Sequence, residues 1–576
     1  MIILKSFPGI ARIGIVCLCL VGVPALTWSQ NQPTPLNSPS QKLLDRLMIM
    51  GVNPEGVHSA LKPYHRGDVF DAAYADADSA LPVLLRQDLS YLLAENDEFY
   101  FTHARDSLNP LLAGPPQSRR AFLKYFYRRP AHLYALDEPG FYLRVNPMLH
   151  FGVGSESSSS DLLYVNRRGI EIRGGIDDRL FFQTNIIEAQ LRPSSYIQKF
   201  VDDYRALPDA GLFKDFDGKL FPGEGAYDYL TSNGVIGFQV LKHVGVQFGH
   251  GKNFIGDGYR SLFLSDFAKN SFYLRLNTRV WKIHYQNLFT ELAASEKLPG
   301  NTLVPKKYMA AHYLSLRIHP NINIGLFESV IFTRDGGNFE LQYLNPIILY
   351  RSIEHHVGSP DNVLLGLSAS WNLLKKARLY GQFIVDEFKF NEFFSSDQWW
   401  GNKFGVQLGG LYVDAFGIRN LDVRLEYNQV RPFTYTHYDS LGSYSHLNQA
   451  LAHPVGANFR EVLGMIDYRP IPKLWLTGKA FFIKGGDDTA DLYFGKDILR
   501  SNTERNADYG IAQGQGIPIK TVLFSLEASY MLKHNFFLEA RYFRRDFTSD
   551  LETENLLSQY VSLGIRWNYF GSQEEF

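Results

Sequence analysis

The chain alternates strictly between apolar and polar side chains from Leu421 to Asn428, where it reads LDVRLEYN. Successive side chains of a β-strand point to opposite faces, so this stretch predicts a strand with one apolar face and one polar face. The same period of two recurs at 272–277 (FYLRLN), 522–530 (VLFSLEASY) and 561–569 (VSLGIRWNY). These stretches predict a sheet that is built from amphipathic strands.

The lengths of the strands and of their connections favour a membrane barrel. Many alternating runs last about 10 to 15 residues, which is longer than the strands of a soluble sandwich and long enough for a tilted strand to cross a bilayer. Very short turns, such as Lys242-His243 and Thr278-Arg279, alternate with longer polar segments, such as 192–226 and 251–270. This pattern is typical of short periplasmic turns and long external loops. The sequence therefore predicts an all-β transmembrane barrel of about 18 antiparallel strands over residues 141–570.

The first residues have the layout of a secretory signal peptide. Positive charges at Lys5 and Arg12 precede an apolar stretch, and small residues follow before a plausible cleavage point. We expect residues 1–29 to be removed on export. The chain has two cysteines, Cys17 and Cys19, and both lie in this segment. The mature chain is therefore expected to contain no disulfide and no cysteine metal site.

Residues 30–136 are predicted to form a linker followed by a small helical domain in the periplasm. The linker is rich in Pro, Ser, Asn and Gln, and apolar residues then recur at helical spacing over 41–50, 78–93 and 118–127. A barrel of about 18 strands leaves an aqueous lumen. We therefore expect the helical domain to cap or plug the periplasmic mouth of the barrel.

Composition and motifs argue against several classes of protein. The 576 residues include 58 Lys and Arg against 59 Asp and Glu, and this balance disfavours a nucleic-acid binder, which usually needs a basic face. The chain contains no Gly-x-Ser-x-Gly elbow or comparable hydrolase signature, so we predict that it is not an enzyme. Neither Glu354-His355-His356 nor the loop acids around Asp487 have a recognised metal-ligand spacing. We predict no metal and no cofactor.

Two loop segments carry residue types that suit a glycan. The first is 247–266 (QFGHGKNFIGDGYRSLFLSD), and the second is 431–458 (RPFTYTHYDSLGSYSHLNQALAHPVGAN). Sugar rings have apolar C–H faces and hydroxyl edges, which fit aromatic rings together with amide, imidazole and cationic donors. The alternatives are a structural loop pinned by Lys, Arg and Asp for the first segment, and plain packing or a metal for the second. The candidate polysaccharide-binding residues are His250, Lys252, Asn253, Asp257, Tyr259, Arg260, Tyr435, Tyr438, Tyr444 and His446.

Segment 247–266 resembles the glycine-rich segment of the capsule-assembly Wzi family of outer-membrane proteins. The matching positions are Gly256, Gly258, Ser261, Leu262, Leu264 and Ser265. Within that wider group the chain is most similar to the RemB-like gliding-motility proteins. The similar stretches are 165–171, 247–266, 281–292, 339–346 and 446–460.

The resemblance implies an 18-stranded barrel that is closed at its periplasmic end by N-terminal helices. It also implies a role at the cell surface, either in retaining capsular polysaccharide or exopolysaccharide or in supporting gliding adhesion. The implied partners are outer-membrane lipid, surface polysaccharide and proteins of the motility or secretion machinery. Our hypothesis is a non-enzymatic barrel in the outer membrane of a Gram-negative bacterium. The alternatives are a transport channel and, less directly, a barrel enzyme that acts on lipid or glycan.

Overall fold

The computed structural model describes most of the chain after the predicted signal peptide. The predicted signal peptide (1–29) and much of the third predicted helix (119–124) lie outside the described residues. The described ranges are 32–52, 54–76, 83–102, 114–118, 125–177, 179–218, 223–294, 304–347, 349–358, 361–387, 389–393, 397–571 and 574–576.

Eighteen antiparallel strands close into one barrel, as the sequence predicts. Each strand pairs with the next along the chain, and the last strand pairs with the first from Tyr560–Glu156 to Trp567–Leu149. The strands are β1 (Phe141–Glu156), β2 (Leu162–Ile176), β3 (Leu180–Arg192), β4 (Tyr227–Leu241), β5 (Val244–Gly251), β6 (Ser271–Val280), β7 (Ile283–Ala293), β8 (Lys306–His319), β9 (Ile322–Phe332), β10 (Asn362–Leu373), β11 (Ala377–Glu387), β12 (Lys403–Tyr412), β13 (Leu421–Val430), β14 (Phe459–Ile471), β15 (Leu474–Asp487), β16 (Ile517–Lys533), β17 (Phe536–Ser549) and β18 (Leu556–Trp567).

The strands place their polar residues toward the lumen and their apolar residues outward. On β13, Asp422 binds Arg46 of the N-terminal segment, and Glu426 accepts a hydrogen bond from the Tyr259 N–H (2.8 Å). Leu425, on the opposite face, is 62% exposed. Other large apolar side chains that are exposed on the wall are Phe151, Ile170, Ile236, Phe248, Leu326, Leu365, Leu408, Phe482, Leu526 and Leu563. This exterior is the surface that a membrane barrel presents to lipid.

The connections differ in length between the two ends of the barrel. At one end, the short-turn end, the strands are joined by 177–179, 242–243, 281–282, 320–321, 374–376, 413–420, 472–473 and 534–535. At the other end, the long-loop end, the main connections are 193–226, 252–270, 294–305, 333–361, 388–402, 431–458 and 488–516. The alternation that the sequence predicts is present, although the turn predicted at Thr278-Arg279 lies three residues later.

Three helices of the N-terminal segment lie at the short-turn end: α1 (Pro39–Met50), α2 (Arg66–Asp76) and α3 (Val83–Glu95). Ser38 caps α1 by accepting a hydrogen bond from the Gln41 N–H, and α1 ends at Gly51, whose φ of 107° favours glycine. The predicted helix over 41–50 corresponds to α1. Of the predicted helix over 78–93, residues 83–93 lie in α3 and residues 78–82 lie outside the described residues. The sequence pattern missed α2, because its apolar residues do not recur with a helical period. No described helix is long and apolar enough to span a membrane.

Buried and partly buried ion pairs join this helical segment to the inner wall. Four arginines of the wall or its turns bind four acidic residues of the segment. The pairs are Arg144–Asp97 (2.7 Å), Arg173–Glu98 (3.1 Å), Arg279–Asp68 (2.9 Å) and Arg469–Asp88 (2.6 Å). Apolar residues of the three helices pack into a core of their own beneath these pairs. The helical segment therefore fills the lumen at the short-turn end.

Further elements extend into the lumen or along the wall. They are α4 (Ser195–Tyr204), α5 (Tyr350–Val357), α6 (Phe390–Phe393), a strand pair of Leu61–Lys62 with Phe254–Ile255, a second pair of Ser445–His446 with Gln449–Ala450, and the short strands Tyr134–Glu138 and Lys214–Asp215. Residues 574–576, which follow β18, also contact the inner wall.

Candidate functional site

The first predicted ligand segment lies inside the barrel. After β5 the chain folds back into the lumen, where Phe254–Ile255 pairs with Leu61–Lys62 of the helical segment. Leu262 and Phe263 are fully buried in the same core. Loop 252–270 therefore joins the wall, the helical segment and the long loops into one packed interior.

The polar residues of this loop bind other parts of the protein. Their partners come from the wall, from the segment 193–226 and from the residues after β18. The pairs are Lys252–Asp209 (3.0 Å), Asn253–Arg275 (2.8 Å), Asp257–Arg378 (3.5 Å), Tyr259–Glu575 (2.8 Å) and Arg260–Glu461 (3.2 Å). His250 is separate from them, since it lies on β5 beside the outward-facing Phe272.

The second predicted segment packs against the first. Tyr435 and Tyr444 stack with their ring centroids 5.7 Å apart. Their hydroxyls donate hydrogen bonds to the carbonyl oxygens of Leu262 and Phe263, each at 2.8 Å. Both rings are buried, whereas Tyr438 is half exposed at the long-loop end.

The structure thus brings most of the ten candidate residues together, but in a network that the protein itself fills. Lys252, Asn253, Asp257, Tyr259, Arg260, Tyr435, Tyr444 and His446 hold loops to one another, and these contacts support the alternative of structural loops. Their assignment to a ligand site stays a prediction.

His446 provides a pH-dependent contact in this network. Its Nδ1 accepts a hydrogen bond from the Ala293 N–H (3.0 Å), and its Nε2 lies 3.2 Å from the Asn270 carbonyl oxygen. Burial lowers the pKa of His446 to about 4. Because the folded state holds the neutral ring, the stability that His446 contributes is present above its unfolded pKa near 6.5 and is lost as the pH falls toward 4.

We expect acid to destabilise the barrel partly through His446. Between pH 7 and pH 4 the free energy of unfolding should fall by on the order of 1–3 kcal/mol more in the natural protein than in His446→Gln. Denaturant unfolding in detergent at several pH values measures this difference. His243→Gln, at an exposed turn, controls for the loss of an imidazole. Equal pH dependence of the natural protein and His446→Gln would contradict the expectation.

A cavity of about 470 Å³ lies in the lumen beside α1. Its lining runs from Leu191 and Ser194, near the long-loop end, to Lys42 and Arg46 of α1. Lumenal side chains of β14 to β18, β1 and β2 form the wall of the cavity. Among the ten predicted residues, Tyr259 lines it.

Arg167 of β2 is a buried cation in the lining of this cavity. Its Nη1 lies 3.2 Å from His150 Nδ1, its Nη2 lies 3.4 Å from the Tyr229 hydroxyl, and its guanidinium lies 5.1 Å from the centre of the Tyr569 ring. Its Nε has no hydrogen-bond partner among the residues that the structure describes. Glu574 and Asp209 act on Arg167 electrostatically, but the groups that lie within hydrogen-bond distance of its guanidinium are neutral. Arg167 is therefore suited to an anionic or hydroxyl-bearing ligand.

Glu575, which follows β18, also lines the cavity. Its carboxylate accepts from Lys479 Nζ (2.6 Å) and from the Tyr259 hydroxyl (2.8 Å), and it pairs with Arg541 (3.3 Å). Burial alone would raise the pKa of the Glu575 carboxyl, but Lys479 and Arg541 hold this pKa below its ordinary value. The cationic wall therefore already binds one carboxylate.

The sequence analysis did not single out Arg167, Lys479 or Tyr569. The sequence does indicate a cation in the lumen here. Arg167 and Arg168 are adjacent on one strand, so their side chains point to opposite faces and one of them must face the lumen. The sequence does not show which of the two cations is buried in the lumen and which forms an exposed ion pair.

One buried group has the spacing of a metal site. Asp97, Glu98 and His132 have ligand atoms within 4.8 Å of one another. Arg144 and Arg173 already bind the two carboxylates, so their charges are neutralised without a cation. This arrangement is better explained as an ion-pair network between the helical segment and the wall.

The closed antiparallel barrel and its apolar outer wall define the class of outer-membrane β-barrels. Among solved structures, the chain is similar to Wzi of Escherichia coli, with 12% identity, a TM-score of 0.53, and coverage of 92% of this chain and 98% of that one. Wzi is described as an outer-membrane protein involved in group 1 capsule assembly and as a carbohydrate-binding β-barrel. At this identity the likeness shows the fold alone.

Other barrels match more weakly. OprD of Pseudomonas aeruginosa has 12% identity and a TM-score of 0.41, with 74% of this chain and 94% of that chain covered. OccAB2 of Acinetobacter baumannii has 8% identity and a TM-score of 0.40, with 74% and 98% covered. No protein-family model and no curated sequence matches the chain. The resemblance to RemB-like proteins stays a prediction.

Proposed function

We propose that this protein is a non-enzymatic outer-membrane barrel that binds a surface polysaccharide in its lumenal cavity. The long-loop end faces the outside and the helical segment faces the periplasm, as in other barrels with short periplasmic turns. The observation that carries the proposal is the buried Arg167, which lines a cavity in a lumen that is otherwise packed.

The chemistry of the cavity supports a glycan. Tyr259, Tyr560 and Tyr569 line the cavity with aromatic side chains, and Arg167 and Arg541 line it with guanidinium groups, which are charge-assisted donors. This combination fits the apolar faces and the hydroxyl or carboxylate groups of a sugar chain. The fold shared with Wzi, a carbohydrate-binding barrel, agrees with the proposal.

The transport channel remains the second candidate. The cavity reaches α1, but the helical segment and loop 252–270 occupy the lumen next to it. A channel needs a continuous aqueous path, and this packing favours binding over passage. A role in gliding motility stays a hypothesis that rests on the sequence resemblance.

Arg167→Gln is expected to weaken the binding of an acidic oligosaccharide by about 1.5–3 kcal/mol, because a charge-assisted hydrogen bond is lost. Titration of the purified barrel with oligogalacturonate, followed by calorimetry, measures this loss. Arg168→Gln is the matched control, because Arg168 lies on the outer face and pairs with the exposed Glu188 at 3.1 Å. It should leave affinity unchanged.

Equal affinity of the natural protein and a correctly folded Arg167→Gln would remove the cavity as the binding site. In cells that lack the gene, complementation with each variant should restore polysaccharide retention only where binding persists. Loss of colony spreading with normal retention would favour the motility role instead.

A further inference from the structure

The outer face of β7, β8 and β9 carries a row of buried polar residues. Odd-numbered residues of β8 face the lumen, as Lys307 shows by donating a hydrogen bond to the Ser443 carbonyl (2.8 Å). Even-numbered residues of β8 therefore face outward. His312 is one of them, and it pairs in register with Asn287 of β7 and Glu328 of β9.

This polar row lies well below the long-loop end of the barrel. The row of Glu291, Tyr308 and Phe332 is four residues closer to that end, which is about 13 Å along the strands. Glu291 forms a half-exposed ion pair with Lys306. At this level, near the long-loop end, the outer face of β7 and β8 carries charged side chains. The polar row therefore lies at the level of the apolar band, which is about 25 Å tall in membrane barrels.

The connection between β9 and β10, residues 333–361, covers this row from the outside. Tyr343, Tyr350 and Ile353 are buried against outward-facing residues that include Phe289, Ala310, Val330 and Phe332. The main-chain N–H of Arg351 donates to Glu328 (3.2 Å), and the rings of His312 and Tyr350 lie 3.9 Å apart. We call residues 333–361 the outer segment.

The outer segment reaches further still toward the short-turn end. The carbonyl oxygen of Pro346 accepts hydrogen bonds from the Tyr285 hydroxyl (2.5 Å) and from Asn287 Nδ2 (3.1 Å). Tyr285 is only two residues from the start of β7. It lies in one row with Leu314 and Leu326, six residues below the row that contains Phe332. Pro346 thus lies about 20 Å along the strands from the row that contains Phe332.

The outer segment presents an apolar surface on its far side. Leu341, Ile347 and Leu349 are 72%, 85% and 64% exposed, and Leu344 is also exposed. Leu326, Leu365 and Leu367, on β9 and β10 of the same side of the wall, are also exposed. Four large apolar side chains at membrane level would be unfavourable in water but are favourable in hydrocarbon.

We propose that the outer segment is immersed in the hydrocarbon core of the membrane, where the acyl chains of the lipid pack on Leu341, Leu344, Ile347 and Leu349. In this position it shields Asn287, His312 and Glu328 from hydrocarbon, in which unshielded polar groups are costly. The barrel is therefore asymmetric. Over β7 to β9 the outer segment lies between the strands and the lipid, whereas elsewhere the strands contact the lipid directly.

The experiment places a nitroxide label at Ile347→Cys in the barrel reconstituted in phospholipid vesicles. Spin-label collisions with oxygen, which concentrates in hydrocarbon, are compared with collisions with a water-soluble nickel chelate. Leu326→Cys is the hydrocarbon reference on the wall, and Tyr438→Cys is the water reference at the long-loop end. All three positions are exposed, so labelling should not disturb the packing.

We expect the label at Ile347 to match the label at Leu326, with high oxygen access and loss of nickel access. Nickel access equal to that at Tyr438 would overturn the proposal, because the outer segment would then lie in water. Low access to both reagents, with dipolar broadening between labels, would also overturn it and would point to a second copy of this chain on the same surface.

Discussion

A barrel that lacks residues 38–102 is expected to conduct ions in planar bilayers, whereas the intact protein is expected to conduct little. The deletion removes α1, α2 and α3, which fill the lumen at the short-turn end. Eighteen strands enclose a wide lumen, and only packed protein keeps it closed. Arginines such as Arg173 that then lose acidic partners would face water, which hydrates them. We therefore expect the wall to remain folded.

Heat-modifiable migration on gels must first show that the deletion variant still forms a barrel. Lys42→Ala is the control, since it removes a partly exposed ion pair with Asp467 (3.4 Å) and leaves the helices in place. It should conduct no more than the natural protein. Large, steady conductance in the intact protein would favour the channel alternative, and a closed deletion variant would show that the long loops alone block the lumen.

Arg260→Met is expected to lower the free energy of unfolding by about 3–5 kcal/mol. Arg260 and Glu461 are 3.2 Å apart, and their side chains are 2% and 0% exposed. Removing the cation leaves the Glu461 carboxylate buried with His453 (2.8 Å) and Asn428 (2.9 Å) as its remaining partners. Denaturant unfolding in detergent, followed by the change in gel migration, measures the loss.

Two variants show whether burial causes the effect. Lys306→Gln breaks the half-exposed pair with Glu291 (2.8 Å), and it should cost about 0–1 kcal/mol. The double variant Arg260→Met/Glu461→Gln removes both charges and should recover part of the stability. A loss in Arg260→Met no larger than that in Lys306→Gln would mean that the Arg260–Glu461 pair contributes little.

The architecture could be read from the sequence because a membrane imposes a simple pattern. The alternation at 421–428 predicted which side chains face inward, and the structure places Asp422 and Glu426 in the lumen and Leu425 outside. The strand count and the alternation of turn lengths followed from the same period of two. Helix α2 escaped detection because it is held by tertiary packing rather than by a strong apolar stripe.

The candidate ligand site could not be predicted from the sequence in the same way. Loop 247–266 carries donors and glycines that suit a ligand, but the same groups bind Asp209, Glu461 and Glu575 in the folded protein. These partners lie far away in the sequence, so a local pattern cannot distinguish a free donor from a satisfied one. Arg167 shows the reverse case, since nothing in its neighbourhood of the sequence reveals that it is buried and that its hydrogen-bond partners are neutral.

The contacts of the helical segment also set the order in which the protein can assemble. Arg46 binds Asp422, Asp88 binds Arg469, and Glu95 binds Asn535, across separations of 376, 381 and 440 residues. Contacts over such distances form late, because chain entropy must first be lost in bringing the partners together. Residues that are synthesised early are therefore expected to dock late, after the strands that bear their partners. Until that step, the nascent barrel would hold a water-filled passage.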